Sequence, residues 1–359
     1  MWWISGWFLI YASSIFFLIF GIQRLRAERN TTKAVSIDQI SVVVPFRNEA
    51  QNLVHFLNCI RSQKYQPVQW IFVNDHSTDD FQQLFQSMAE FRFPIRLLHL
   101  PPEQQGKKFA IRFGTDHVTT DYCLTMDADV EFGSDYMKSM LAVPAADLVI
   151  LPVEMTAKRW WHSFFTLEYL FTTLLNRGVA GWSRPVNASG ANLLFRVDVF
   201  EEVDDLDEHG HILSGDDIYT LRAFRDNGKT IEIVESEDLQ VTTATPLSIG
   251  EVMDQRVRWL SKSGHVGDLL NNFLGVWAVM LHLSYFLLVI MTIFAPALWF
   301  FVLLFVLKTL LDFTLIRMIR TKWNAESVIG LLLFELFYPV YLFALLGSSL
   351  FSQPEWKGR

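Results

Sequence analysis

The chain has 359 residues, of which 51% are hydrophobic, 14% aromatic and only 19% charged. A mean hydropathy of +0.24 is too apolar for an ordinary soluble protein, while the charge in its middle excludes a pure membrane bundle. The net charge of -8 argues against a nucleic-acid reader held by a basic field.

Trp2 to Ile22 is an almost unbroken apolar run, about long enough to cross a bilayer. It has no basic n-region and no small-residue cleavage site, so it reads as a retained anchor and not a signal peptide. Three arginines follow in Gln23 to Arg29, QRLRAER, and the positive-inside bias puts that end in the cytoplasm. Asn30 to Ile37 is a polar linker. Ile40 to Pro45, ISVVVP, is a β-branched run of the kind buried in a parallel sheet. It breaks at Phe46-Arg47-Asn48-Glu49 before a helical pattern near Asn52 to Ser62. A second strand, Gln69 to Val73, runs into Asn74-Asp75-His76-Ser77-Thr78-Asp79 and a further helix. A third, Ile95 to Leu100, meets the loop Pro101 to Gly106, and Lys107 opens a helix through His117. Tyr122 to Met126 is the fourth strand.

Strand, loop and helix at this spacing predict a parallel α/β sheet, whose ligands sit beyond the carboxyl ends of the strands. Arg47, Asp75, Lys107 and Asp127 all fall there. In extended chain, residues two apart share a face, so Asp127 and Asp129 aim at one point with Ala128 turned away. Two hard oxygen ligands at a strand end suit Mg2+ or Mn2+ with room for phosphate oxygens; an acidic turn in water is the alternative for the tripeptide alone.

The next region is less regular. Asp147 to Val153 is a predicted strand. The aromatic helix from Arg159 to Leu175 either lies at a membrane interface with Trp160, Trp161, Phe164 and Phe165 down, or packs in a core. A strand pair is expected around Thr230 to Thr243. Apolar spans follow at Phe273 to Phe294, Ala297 to Met318 and Val328 to Leu350, with a corner at Ala295-Pro296. Arg317, Arg320 and Lys322 mark a cytoplasmic loop. The charges of Trp356-Lys357-Gly358-Arg359 pull the tail the other way, so one span is open to a re-entrant reading. Lys308 and Asp312, four apart inside a span, are either functional or a self-neutralised helix contact, and Glu335 beside Pro339 carries the same ambiguity. His76, His162, His209 and His211 lack metal-ligand spacing. Cys59 and Cys123, the only cysteines, read as buried small residues of a reducing compartment.

The motifs VPFRNE, VNDHSTD, GKKFA, MDADV, GANLLFR, GDD and QRVRW are each weak alone. In this order the chain resembles the membrane-anchored family-two glycosyltransferases, from about Ser41 to Trp259 and in the flanking apolar segments. That group includes ceramide glucosyltransferases and the processive synthases of cellulose, hyaluronan and poly-N-acetylglucosamine. The resemblance implies an α/β fold, a GT-A type doubly wound mixed sheet flanked by transmembrane helices. Residues 1–22 would be the anchor, 23–37 a linker and 38–265 the cytoplasmic GT-A domain with interfacial helices. Residues 266–351 would hold about three transmembrane helices, and 352–359 the tail.

The resemblance also implies roles. Pro45 and Glu49 would border the nucleoside, Asp75 accept from base or ribose, and Lys107 sit near the nucleotide as a cation. Asp127 would be the nucleotide-side partner and Asp129 the metal ligand, both on Mg2+ or Mn2+. Asp217 aligns with the proposed base, with Gly190, Asn192 and Asp216 on the acceptor side. Gln255, Arg258 and Trp259 resemble the QxxRW box beside the diphosphate. The expected activity is inverting transfer of a hexose from a nucleotide sugar, a UDP-sugar by preference, to a membrane lipid, with the catalytic region on the cytoplasmic face of a bacterial inner membrane. About three spans after the catalytic region are few for a polymer tunnel, which favours a lipid acceptor. The alternatives are a short processive polysaccharide synthase and a non-catalytic membrane scaffold on a transferase fold.

Overall fold

A computed structural model of the chain describes residues 2–28, 34–86, 93–206, 215–266, 268–293, 298–320 and 323–351. The expectations for His209, His211, Ala295-Pro296, Lys322 and the tail from Trp356 lie outside the described residues, as does part of the linker. The chain divides into two compact units, each discontinuous in sequence. One comprises Asn30–Glu154 and Asn187–Ala244; the other comprises Met1–Arg29, Met155–Val186 and Thr245–Pro354.

The α/β unit is built on β1 (Ile40–Phe46), β2 (Gln69–Asn74), β3 (Ile95–His99) and β4 (Tyr122–Met126), with β5 (Val130–Phe132), β6 (Leu148–Ile150), β8 (Asn192–Arg196), β9 (Ile231–Ile233) and β10 (Val241–Ala244) added later. β7 (Val153–Thr156) runs across the division between the units. Seven strands form one sheet in the order β3-β2-β1-β4-β8-β6-β9. β1 pairs in parallel with β2 and β4, and β2 with β3; β8 runs antiparallel to β4 and β6. The sheet is thus mixed. All seven residues of β1 are buried, as strands covered on both faces require. The helix α2 (Ala50–Ser62) buries Leu53, Phe56, Leu57 and Ile60, one stripe at helical spacing. Phe56 meets the edges of Trp70 and Phe72 at 6.0 and 5.9 Å between centroids. A smaller sheet, β5-β10-β7, continues from the β4 turn. The short α3 (Gln82–Gln86), α5 (Tyr136–Ser139) and α7 (Val197–Val203), with α4 (Lys107–Thr115) and α8 (Asp216–Asp226), complete the unit.

The second unit is helical: α1 (Trp2–Ala27), α6 (His162–Ala180), α9 (Ile249–Val266), α10 (Leu269–Ile293), α11 (Leu298–Ile316) and α12 (Ala325–Phe351). Among the described residues, three stretches are long and apolar enough to cross a membrane: Ile4–Ala27, Leu269–Met291 and Ser327–Phe351. Over the expected span Ala297 to Met318 the structure has the 19-residue helix α11, about 28 Å long, which is not one of those three stretches.

Within residues 38–265, α6 and most of α9 fall in the helical unit. The reason lies in what α6 buries: Leu167 and Leu174 join Ile15, Ile19 and Leu331, while Phe164 and Phe165 pack with Phe334 and Val252. Phe164 and Phe165 are therefore core residues, whereas Trp160 is 62% exposed. Lys308, Asp312 and Glu335 form one buried cluster. The Lys308 ammonium donates to Asp312 Oδ2 at 2.7 Å and Glu335 Oε2 at 2.6 Å, and the Tyr11 hydroxyl donates to Asp312 Oδ1. Three helices are cross-tied by charges that apolar surroundings would otherwise expel.

Candidate active site

The strand order reverses at β1: β2 and β3 lie on one side and β4 on the other. In a parallel region such a switch opens a crevice beyond the carboxyl ends. Asp75 follows β2 and Asp127 follows β4 at that edge, and Lys107 opens α4 after the β3 loop.

Lys107 is the hub. Its Nζ lies 2.7 Å from Asp127 Oδ1 and 2.9 Å from Asp216 Oδ2. Burial pulls the Lys107 pKa down, but Asp127, then Asp216 and Asp217, outweigh it and hold the ammonium well above the ordinary lysine range. Asp216 is brought there by the start of α8, for which Gly215 caps the helix at φ 91°, a left-handed backbone that glycine adopts without strain. Gly190 leaves the space this pairing needs: a Cβ there would stand 2.4 Å from Asp216 Oδ2 and 3.1 Å from Lys107 Nζ.

Asp75 is 1% exposed and its Oδ2 accepts the Gly106 N–H at 3.1 Å, which fixes the loop just ahead of Lys107. The turns after β1 and β2 are laced together. Asn48 N–H donates to Ser77 Oγ at 2.9 Å, Thr78 N–H to Asn48 Oδ1 at 2.8 Å, and Ala50 N–H to Asp79 Oδ2 at 2.7 Å. Pro45 is buried near the end of β1. Glu49 precedes α2 and its Oε2 accepts from Asn52 Nδ2 at 2.5 Å.

Ala128 is 3% exposed while Asp129 is exposed; Thr243 Oγ1 lies 3.4 Å from Asp129 Oδ2. Asp127 and Asp129 thus differ in surroundings, one on a lysine and one open to solvent. Among the described residues no group of three or more His, Cys, Asp or Glu side chains could hold a metal by itself. An exposed carboxylate at a strand end fits a hard cation that completes its shell with phosphate oxygens and water.

Asp217 is half-buried in the first turn of α8, and its Oδ1 accepts the Ile218 N–H at 2.9 Å. Asn192, expected on the acceptor side, is instead a core residue with no exposed surface. Its amide donates to Pro152 O and Leu239 O, both at 2.9 Å, and its Oδ1 accepts from Tyr136 at 2.5 Å. Both amide protons are engaged, so it has none to offer a ligand. Burial pushes the Cys123 thiol up to about 12, in keeping with an inert cysteine.

Gln255, Arg258 and Trp259 lie on α9, in the helical unit. Burial draws the Arg258 guanidinium below its usual value, with Asp254 opposing, and Trp259 stands 5.9 Å from the Tyr169 ring. Sequence reasoning passed over Arg256, which is 3% exposed and bonded to Glu168. Its position three residues before Trp259, on the same helix face, was the available signal.

The model of Glycosyl transferase family 2 matches residues 41–204, from β1 to just past α7. A 4,4'-diaponeurosporenoate glycosyltransferase of Staphylococcus haemolyticus is 25% identical over 179 residues, 48% of this chain and 46% of that protein. An undecaprenyl-phosphate 4-deoxy-4-formamido-L-arabinose transferase of Sodalis glossinidius is 28% identical over 119 residues, 32% of this chain and 36% of that protein. The chain therefore spans less than half the length of these two curated relatives. Among solved structures, a mannosyltransferase of Pyrobaculum calidifontis in complex with GDP-Man and Mn2+ is similar with a TM-score of 0.53 and 17% identity, over 97% of this chain and 99% of that one; that likeness concerns the fold. Residues 41–204 thus resemble glycosyl transferase family 2, on a mixed α/β sheet of GT-A type accompanied, among the described residues, by three helices apolar enough to cross a membrane.

Proposed function

We propose that the protein is an inverting membrane glycosyltransferase that moves a sugar from a nucleotide sugar, a UDP-sugar, to a lipid acceptor. The observation that carries this reading is the Lys107 bridge between Asp127 at the end of β4 and Asp216 at the start of α8. It joins a donor-side carboxylate to the segment bearing the candidate base. The three apolar helices support a membrane acceptor, and a relative named for an undecaprenyl-phosphate substrate is compatible with one.

In the transfer, an acceptor hydroxyl oxygen forms a bond to the anomeric carbon as that carbon's bond to the diphosphate oxygen breaks. The electron pair leaves with the diphosphate, and the hydroxyl proton passes to Asp217. General-base help of this kind is typically worth about 10²- to 10⁴-fold. Asp75, Pro45 and Glu49 would line the nucleoside end. Asp129, with Asp127, would hold Mg2+ or Mn2+, which when bound neutralises diphosphate charge. The catalytic face would be cytoplasmic, since Arg24 and Arg26 close α1.

The test is mass spectrometry of lipids from cells with and without the protein, followed by incubation of the purified chain with UDP- and GDP-sugars and that lipid extract. The reading expects one new glycolipid carrying a single sugar. A ladder of oligosaccharides would exclude the lipid acceptor in favour of a polymer synthase, and no sugar transfer at all would refute the enzyme reading.

A further inference from the structure

We propose that Lys108 is a positioning residue: seated on the face of Tyr219, it fixes the first turn of α8 and with it the carboxylate of Asp217. This rests on the reading above, in which Asp217 takes the acceptor proton. Lys108, Tyr219 and Asp217 all belong to the α/β unit.

Lys108 is the second residue of α4, next to Lys107, yet only 6% of it is exposed. Burying an ammonium is costly unless something meets its charge. Its Nζ lies 4.1 Å from the centre of the Tyr219 ring, and Tyr219 is itself buried. An ammonium over an aromatic face is drawn to the ring's quadrupole, more strongly where water is excluded.

Consecutive lysines of α4 thus meet two residues of α8 that stand three apart. Lys107 holds Asp216 at 2.9 Å, and Lys108 holds Tyr219. Residues three apart share one face of a helix, so that face of α8 is gripped at two points. Two contacts fix both the place and the rotation of the first turn, whereas one would act as a pivot. Asp217 follows Asp216, about 100° further round the helix axis. Its charge also acts on Lys107, so a rotation of α8 changes how Asp217 stands to the Lys107–Asp127 pair. One turn further along α4, Arg112 Nη1 lies 3.7 Å from Asp204 Oδ2, just past α7, and the guanidinium 5.7 Å from the centre of the Phe200 ring. The same helix therefore anchors α7 as well.

The contact calls for a cation at 108 and a ring at 219. Methionine at 108 nearly matches the length of lysine without its charge. Phenylalanine at 219 keeps the ring face and drops only the hydroxyl, while leucine removes the face.

The experiment uses the full chain in detergent or nanodiscs and reads sugar transfer, affinity for UDP or GDP with Mn2+, and melting temperature. Lys108→Met and Tyr219→Leu should each lower kcat by roughly 10- to 100-fold, the scale of a misplaced group, with nucleotide affinity little changed. Lys108→Arg and Tyr219→Phe should keep most of the activity. In an Asp217→Asn background, Lys108→Met should cost almost nothing further, since residues acting through one another are non-additive. The double variant of Lys108→Met and Tyr219→Leu should melt close to the poorer single one, which tests the contact without any turnover. If Lys108→Met fails to fold, the contrast between Tyr219→Phe and Tyr219→Leu carries the test. Wild-type kcat in Lys108→Met and Tyr219→Leu, equal losses in Tyr219→Phe and Tyr219→Leu, nucleotide affinity falling in step with kcat, or undiminished loss in the Asp217→Asn background would overturn the positioning role. Fully additive melting losses would overturn the contact itself. A wild-type chain that transfers no sugar, or an Asp217→Asn chain that transfers at the wild-type rate, would instead overturn the reading on which it rests.

Discussion

Removing the Lys107 ammonium by Lys107→Met would leave Asp127 and Asp216 facing a site with no cation between them. The Lys107 side chain is 18% exposed, Asp127 32% and Asp216 10%, so the Asp216 contact is the less screened. Two unit charges about 4 Å apart attract by about 4 kcal/mol at an effective dielectric of 20, before the cost of desolvation. After that discount a coupling of about 1–3 kcal/mol between Lys107 and Asp216 is expected. In turnover, losing a preorganised charge near the reacting phosphate corresponds to about 10²- to 10³-fold in kcat. The assay is a double-mutant cycle of Lys107→Met and Asp216→Asn, read as donor turnover and as thermal stability. The double variant should be little worse than the poorer single one. Fully additive losses would refute the bridge. Because the folded Lys107 pKa is raised, the stability from its pairing is present below the ordinary lysine value of about 10.4 and is lost only as pH rises through the higher folded value. Activity changes between pH 6 and 9, roughly, must then have another source than Lys107.

Asn192→Ala should destabilise the α/β unit by about 2–4 kcal/mol, since it strands two buried carbonyls and the Tyr136 hydroxyl; a melting curve tests this, and loss of turnover with unchanged stability would return Asn192 to the site. Lys308→Met should cost about 3–5 kcal/mol, the scale for a buried charge cluster robbed of its partner, seen as a lower melting temperature in detergent. Joint replacement of Lys308, Asp312 and Glu335 by apolar residues of similar size should recover much of that loss. Cys123 should resist maleimide in the native protein, its thiol being buried and pushed up to about 12, and should react once the chain is denatured; prompt native labelling would contradict its place in β4.

The parallel strands were legible because ISVVVP and its successors are short β-branched runs closed by turn residues, and the site because Asp75, Lys107 and Asp127 stand where those runs end. What was not legible depends on partners distant in sequence. β8 pairs antiparallel with β4 across 68 residues between Thr125 and Leu193, so GANLLFR read only as a motif. An aromatic helix such as α6 has the same periodicity at an interface as in a core, which left its Phe164 and Phe165 undecided. Arg256 sits among charged neighbours on a polar-looking helix, and only Glu168, 88 positions away, explains its burial. Lys308 and Asp312 could be paired from spacing alone, but Glu335 and Tyr11 required the packing of three helices.

The most direct measurement is Asp217→Asn assayed side by side for nucleotide affinity and for sugar transfer in the presence of Mn2+. The account predicts donor binding close to that of the wild type and transfer reduced by roughly 10²-fold or more. Transfer at the wild-type rate, or binding and transfer falling together, would contradict it.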